Sequence, residues 1–184
     1  MNLNSSHNFY VILSLIFCFC SSCGLVISPK KSIAISERQS LAQAENFRNQ
    51  GQVLPITAQA FIAETTIDLE VAQTPAQQAM GLMFRDALPD NRGMYFPLGR
   101  ARIARFWMNN VPVALDMIFL QEDRVVAIAD SVPPCTTTPE DCPLYGPDQL
   151  VDGVIELRAG RAKELGLAVE DFIKIRYLDT LQQN

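Results

Sequence analysis

Two short apolar stretches, each with a polar side chain set inside it, constrain the fold of this chain more than any other feature. Residues 81–85 read Gly-Leu-Met-Phe-Arg, and residues 107–110 read Trp-Met-Asn-Asn. Arg85 and Asn109 therefore have bulky apolar neighbours. A buried polar group without a hydrogen-bond partner costs about 1–3 kcal/mol. These groups must either bond to other polar groups inside a folded core or form a small polar spot in an apolar pocket.

Two carboxylates lie in apolar runs of the same kind. Asp116 follows Leu115, and Glu156 precedes Leu157. We expect a buried ion pair between Arg85 and Asp116 that fixes a helix to a strand, with Glu156 as a third member of the network. The alternatives are that Arg85 or Asp116 faces a ligand, or that Asp116 and Glu156 form an acid–base pair on the floor of an active site.

Length and charge limit the class of protein. At 184 residues, the chain has room for one domain and a leader. An apolar content of 48% excludes a wholly disordered chain. The net charge of −5 and the lack of a basic stripe argue against a nucleic-acid partner. Arg100, Arg102 and Arg105 do cluster, and their mixed surroundings favour a solvated surface over an anion site.

Histidine usage excludes several kinds of chemistry. The only histidine is His7, which lies in the leader region. Catalytic triads, cysteine–histidine pairs, histidine zinc sites and histidine general bases are therefore excluded. Any catalysis would have to use carboxylates, arginine, lysine, tyrosine or cysteine.

The N-terminus resembles the signal of a bacterial lipoprotein. Residues 9–19 form an almost unbroken apolar run that is too short to span a bilayer as a helix. Small residues then precede Cys23, the residue that such a signal would lipidate. We expect export with a lipid anchor on Cys23; cleavage after Ala44 and an uncleaved N-terminal anchor are the alternatives. The expected organisation is a signal peptide over 1–23, a polar tether over 24–55, one domain over 56–179 and a tail over 180–184.

The remaining two cysteines, Cys135 and Cys142, lie in a loop rich in proline and threonine. This loop has no apolar content to hold it folded, and an exported protein folds where disulfides can form. We expect a structural disulfide between Cys135 and Cys142. Half of a metal site and a redox pair are the alternatives.

Hydrophobic patterning predicts many short strands and two short helices. Residues 67–71 alternate strictly, and Thr74-Pro75 followed by Gln77 forms the start signal of a helix that should carry Met80 and Phe84. A second helix over 161–165 should end at Gly166. Further strands are predicted over 93–96, 104–108, 153–157 and 172–177, with a hairpin over 115–120 and 125–132. The predicted fold class is α+β, predominantly β, with a compact antiparallel, barrel-like sheet.

The order and spacing of these motifs resemble the domain of unknown function 192 family over about residues 60–178. The resemblance implies a compact, β-rich and often exported domain. It assigns no activity and no catalytic residue. The segments that carry it are 81–85, 93–96, 106–109, 115–119 and 156–160.

The expected function is that of an extracytoplasmic, membrane-anchored binding or accessory module that acts as a monomer. Trp107 would form the wall of an apolar pocket, with Asn109 as its polar anchor, although packing in the core is the alternative role for Trp107. We expect a small-molecule or cell-envelope ligand and no cofactor or metal. The competing hypothesis is a small cell-envelope hydrolase that uses Asp116 and Glu156. The ligand-binding candidates are Arg85, Trp107, Met108, Asn109 and Asp116.

Overall fold

The computed structural model of the protein describes Arg38 and residues 50–179. The predicted signal peptide, Cys23, the tether up to residue 49 (Arg38 apart) and the tail lie outside the described residues. In the described part, no helix has the length and apolar character needed to cross a membrane.

Seven strands form one mixed sheet in the order β5-β4-β6-β3-β2-β1-β7. The predominantly β, α+β fold class is confirmed. The sheet does not close into a barrel, because among the described residues its two edge strands do not pair with one another. The residues just before the last strand do bond to the start of the opposite edge strand, through the bridge between Arg124 and Phe172 and the hydrogen bonds of Val125 with Glu170 and Asp171. The strands are β1 (Ile56–Ile62), β2 (Thr65–Val71), β3 (Arg92–Arg102), β4 (Leu115–Gln121), β5 (Arg124–Val132), β6 (Val151–Arg158) and β7 (Lys174–Tyr177).

One pair of neighbouring strands, β2 and β3, is parallel, whereas the sequence predicted an antiparallel sheet. The cause is the connection between them. Helix α1 (Pro75–Met80) and the loop after it carry the chain back to the starting end of β2, as a parallel pair requires. The other neighbouring strands in the sheet pair antiparallel.

Both predicted helices are present, and both are short. The Thr74 hydroxyl accepts a hydrogen bond from the Gln77 backbone N–H, and the Gln77 side chain bonds back to the Thr74 N–H, which confirms the predicted capping box. Helix α1 ends at Met80 rather than extending to Phe84, because Gly81 takes a positive φ of 47°. The second helix, α2 (Arg161–Glu164), precedes a left-handed Gly166 with a φ of 69°.

The predicted hairpin of β4 and β5 is confirmed. Its turn residues, Glu122 and Asp123, have positive φ angles of 50° and 63°, which suit a tight turn between twisted strands. The strand predicted over 104–108 is not formed. Only Phe106 pairs there, through an isolated bridge to Tyr145. The two residues exchange backbone hydrogen bonds of 2.8 and 2.7 Å.

The sheet buries an apolar cluster on each face. One cluster includes Met94, Phe96, Met117 and Phe119, and it is covered by the motif loops. The other includes Ile118, Leu120, Ile155 and Leu157, and it is covered by α2. The two faces differ because successive side chains of a strand point to opposite sides of the sheet.

A disulfide joins Cys135 to Cys142, with the Cα atoms 5.7 Å apart, in agreement with the sequence prediction. The loop that it closes contains a single short 3-10 helix, Pro139–Asp141. Next to the disulfide, the Cys135 N–H donates to the Met108 carbonyl oxygen over 3.3 Å, so the loop is tied to the second motif segment.

Candidate functional site

A row of side chains crosses the centre of the sheet, on the face whose apolar cluster includes Met94 and Met117. The strand register aligns Glu70 of β2 with Met94 of β3, Met94 with Glu156 of β6, and Glu156 with Met117 of β4. Side chains at aligned positions project to the same side of a sheet. Two buried glutamates therefore flank Met94 on one face, and each is only 5% exposed.

Asp116 projects to the opposite face. It is aligned with Leu157 rather than with Glu156, and it is fully buried. Its carboxylate accepts hydrogen bonds from the backbone N–H groups of Ser131 (2.8 Å), Gly160 (2.9 Å) and Ala162 (2.7 Å). Asp116 thus joins β5 and the start of α2 to β4. The structure does not bring Asp116 and Glu156 together as an acid–base pair.

The predicted ion pair between Arg85 and Asp116 is wrong. Arg85 binds Glu70 instead, with 2.7 Å between the Arg85 Nη1 and Glu70 Oε2 atoms. The same Glu70 oxygen accepts the Leu54 N–H over 2.8 Å. Asp116 faces the other side of the sheet, where its carboxylate accepts three backbone hydrogen bonds. Arg85 therefore pairs with Glu70, which was not among the predicted site residues.

The segment before β1 is part of this arrangement. The Gln52 side chain donates to the carbonyl oxygens of Gln77 (2.7 Å) and Gly81 (3.0 Å), at the end of α1. Gly51 packs so closely against Arg85 that an added Cβ would lie 2.6 Å from its Cγ atom. The last residues of the predicted tether are therefore packed onto the domain beside the first motif.

Glu156 differs from the other two buried carboxylates. Within the described part of the chain, no group donates a hydrogen bond to its side chain and no cation pairs with it. Burial raises the pKa of Glu156 from 4.5 to about 8. The side chain is therefore mainly a neutral carboxylic acid near pH 7, a hydrogen-bond donor held among apolar groups.

Glu156 lines a small cavity of about 30 Å³, which is large enough for one or two water-sized groups. A larger, open cavity of about 390 Å³ shares part of its lining with the small one. Together they form what we call the Trp107 pocket, with Glu156 at its floor. The residues that line both cavities are Gln78, Ala79, Phe96, Phe106 and Trp107.

The walls of the Trp107 pocket are aromatic. Phe96 and Phe106 meet edge to face with ring centroids 5.2 Å apart, and Phe106 meets Phe119 behind them at 6.0 Å. Trp107 is 40% exposed, so its ring is a wall of the pocket rather than a core residue. Phe106 is held in place by its bridge to Tyr145.

The mouth of the Trp107 pocket is basic. Arg102 and Arg105 line the larger cavity. Arg105 donates to the Pro147 carbonyl oxygen and to the exposed Asp148 carboxylate, each over 2.5 Å. Arg102 has no salt-bridge partner among the residues that the structure describes. The cluster expected to be a solvated surface therefore contributes two cations to a cavity.

The two motif stretches meet beside the pocket. The Phe84 N–H donates to the Asn110 carbonyl oxygen over 2.7 Å, and both residues have left-handed backbones, with φ angles of 61° and 55°. Met108 is buried in the core, and Asn109 is half-buried but does not line the pocket. Of the ligand-binding candidates, the structure places only Trp107 in the pocket.

Phe96, Phe106 and Gln78 line the pocket and were not predicted as site residues. Phe96 and Phe106 belong to motif segments, and an apolar residue in a motif suits packing in the core as well as the wall of a pocket. No cluster of three or more potential metal ligands occurs among the described residues.

The family model named DUF192, with the description uncharacterized ACR, matches residues 57–175. The chain belongs to the DUF192 family. This confirms the resemblance drawn from the motifs, and the family is uncharacterised in function. No curated protein matches this chain.

Two crystal structures of bacterial proteins resemble this DUF192 domain. A protein of unknown function from Novosphingobium aromaticivorans DSM 12444 is 32% identical, with a TM-score of 0.56 over 64% of this chain and 83% of its own. A protein from Sinorhizobium meliloti 1021, whose name suggests a transcription regulator, is 28% identical, with a TM-score of 0.59 over 67% of this chain and 97% of its own.

Proposed function

We propose that this DUF192 protein is an exported, lipid-anchored domain that binds a small ligand in the Trp107 pocket without turning it over. The observation that carries the proposal is the buried Glu156 carboxyl group, which lacks a described protein partner and lies at the floor of an aromatic cavity. Among the described residues no buried side-chain nitrogen or oxygen atom lacks a partner, so the Glu156 carboxyl group is open to the cavity rather than sealed in the core. A ligand or ordered water in the pocket would satisfy it.

Binding is favoured over catalysis by the placement of the carboxylates. Hydrolysis by paired carboxylates needs two acidic groups on either side of one reacting bond. Asp116 lies on the other face of the sheet, and Glu70 is occupied by Arg85 and the Leu54 N–H. Glu156 alone remains, and the only histidine of the chain, His7, precedes the domain.

Export and anchoring are supported by the leader and by the disulfide. Residues 9–19 suit the apolar part of a signal peptide, and small residues precede Cys23. Disulfides are rare in reducing cytosol and common in exported proteins, and the loop between Cys135 and Cys142 closes with one.

The name of the Sinorhizobium meliloti protein would point to a different function, regulation of transcription. A net charge of −5 disfavours binding to the phosphates of DNA. The arginines at the pocket mouth line a cavity. They do not lie along a helix or β-ribbon of the kind that enters a DNA groove. We therefore do not propose this function for the chain.

The binding claim can be tested by native mass spectrometry of the protein purified from membranes of the producing cells. The wild type should carry a stoichiometric small-molecule adduct. Ala79→Phe, which places a ring in the pocket lining, should lose the adduct. Ala76→Phe is the matched control, because Ala76 is exposed on the same helix and does not line the pocket. An adduct retained by Ala79→Phe, or absent from the wild type, contradicts the proposal.

The export claim can be tested by fractionating cells and measuring the mass of the mature N-terminus. The wild type should be found in the membrane fraction, with an N-terminus at an acylated Cys23. Cys23→Ser should lose the lipid, whereas Cys20→Ser should keep it, which makes Cys20 the matched control. A full-length product in the cytosol would overturn this part of the proposal.

A further inference from the structure

We propose that the Trp107 pocket selects a small organic anion, a monocarboxylate with an apolar body. Its carboxylate would lie between Arg102 and Arg105 at the mouth, and its apolar body would lie against Phe96, Phe106 and Trp107. The inference rests on the proposed binding function and adds the chemical class of the ligand.

The mouth supplies the anion site. Arg102 lines the cavity, and no described carboxylate pairs with its guanidinium group. Arg105 is held in place by the Ala104 and Pro147 carbonyl oxygens and by Asp148, whose side chain is 96% exposed. A guanidinium group matches the two oxygens of a carboxylate with paired N–H donors. The mouth thus presents one oriented and one unpaired arginine to a ligand.

The walls supply the apolar site. The larger cavity of about 390 Å³ lies within the range of small-molecule sites, and its lining is aromatic on one side. Phe96 and Phe106 meet edge to face in this lining, and the Trp107 ring, which also lines the cavity, is exposed. The apolar body of the ligand would lie against these rings while its charged end stays with the arginines.

The floor is compatible with an anion only while Glu156 is uncharged. Burial raises the pKa of Glu156 to about 8, so that near pH 7 it is mainly protonated and does not repel a carboxylate. No nearby group reverses this. Glu70 and Arg85 neutralise one another, Asp116 lies on the opposite face, Asp86 is exposed, and α1 carries no charge. The strand of Glu156 also carries Asp152, whose carboxylate accepts the Glu122 N–H over 3.0 Å. The other charged groups on and beside the elements packed around Glu156 are cationic: Arg92, Arg100, Arg102, Arg105 and Arg158.

The proposal is tested with three probes that share one body and differ in charge: phenylacetate, 2-phenylethanol and 2-phenylethylamine. Trp107 is the only tryptophan of the chain, so its fluorescence reports on the pocket directly. At pH 7, phenylacetate should bind the full-length wild type about tenfold more tightly than 2-phenylethanol, because it gains charge-assisted hydrogen bonds. The amine should bind most weakly.

Variants assign this selectivity to named residues. Arg102→Gln should bring the affinity for phenylacetate down to that for the alcohol. Arg100→Gln is the matched control, because Arg100 is exposed on the same strand and does not line the cavity. In the wild type, phenylacetate should bind more weakly at pH 9 than at pH 7 as Glu156 ionises. In Glu156→Gln the two affinities should be equal, because the side chain stays neutral.

Each outcome separates this inference from the binding function itself. Tighter binding of the alcohol or the amine than of phenylacetate, with the loss of fluorescence change in Ala79→Phe, overturns the anion preference and leaves the binding function standing. Equal losses in Arg100→Gln and Arg102→Gln also contradict the anion site at the mouth. No response of Trp107 to any of the three probes contradicts the anion preference, whereas the adduct seen by native mass spectrometry decides the binding function separately.

Discussion

At the scale of single residues, three buried carboxylates have three different surroundings. Asp116 accepts three backbone N–H groups, Glu70 pairs with Arg85, and Glu156 has neither kind of partner among the described residues. Burial alone does not distinguish them. The number of donors each receives decides whether the group stabilises the fold or is available to a ligand.

The first prediction concerns Asp116. In Asp116→Asn one carboxylate oxygen becomes an NH₂ group, which cannot accept from the N–H groups that it would face. Leaving a buried N–H unpaired should lower the free energy of unfolding by about 1–3 kcal/mol. Urea denaturation measures the change, with Asp130→Asn as the control, since Asp130 is exposed and, among the described residues, its side chain accepts a hydrogen bond only from the Ser131 hydroxyl. Equal effects of both substitutions would contradict a supporting role for Asp116.

The second prediction concerns the pair of Arg85 and Glu70. Removing one charge strands the other in a site that is nearly closed to solvent, so Arg85→Met and Glu70→Gln should each cost about 3–5 kcal/mol. The double variant should cost clearly less than the two together, and a double-mutant cycle measures the difference.

The pair of Arg124 and Glu170 provides the control for this cycle. Their side chains are 54% and 73% exposed and 3.5 Å apart, so their coupling should be small. If Arg85 and Glu70 prove as additive as this exposed pair, the buried ion pair does not form in solution.

At the scale of elements, the sequence predicted the features whose hydrogen bonds join residues close together along the chain. Thr74, Pro75 and Gln77 carry a capping box whose bonds lie within four residues, and the structure contains it. The hairpin of β4 and β5 is also local. The failures are non-local: residues 104–108 do not form a strand, because only Phe106 finds a partner, 39 positions away at Tyr145. The two partners cannot be matched from composition alone.

The third prediction concerns the disulfide loop, which supports the pocket wall through the Cys135–Met108 hydrogen bond and the bridge of Phe106 to Tyr145. Replacing both Cys135 and Cys142 by serine should lower the free energy of unfolding by about 2.5 kcal/mol, as expected for so short a loop. Trp107 should also become more accessible to the quencher acrylamide. Unchanged stability and unchanged quenching would show that the loop does not hold the wall.

At the scale of the whole molecule, the sheet separates two cores, and this separation explains what the sequence could and could not indicate. Sequence patterning predicted strands over 115–120 and 153–157, and β4 and β6 form there. It could not show that Asp116 and Glu156 project to opposite sides, because that depends on the register in which Asp116 meets Leu157. The pocket likewise requires residues from α1, β3, β6 and the second motif to converge.

The fourth prediction concerns stability against pH. The unfolded chain releases the Glu156 proton near pH 4.5, whereas the folded protein keeps it to about pH 8. Between these values the unfolded state binds fewer protons, so the Glu156 contribution to the free energy of unfolding falls as pH rises. The slope is at most about 1.4 kcal/mol per pH unit, and the contribution levels off above the folded pKa.

The variant Glu156→Gln isolates this contribution. Urea denaturation between pH 5 and 9 should show that the difference between wild type and Glu156→Gln changes with pH in the direction given above. Glu140→Gln, an exposed change of the same kind, should keep the wild-type profile. A wild-type profile parallel to that of Glu156→Gln would mean that Glu156 ionises normally in the folded protein.

The central claim, that the Trp107 pocket is a ligand site, is tested most directly by a crystal structure of the domain soaked with phenylacetate. The account predicts density for the ring between Phe96, Phe106 and Trp107, with the carboxylate at the guanidinium group of Arg102. The same soak of Ala79→Phe should leave the pocket without the probe. An empty pocket in the wild type at a saturating concentration, or the probe bound elsewhere on the domain, would contradict the account.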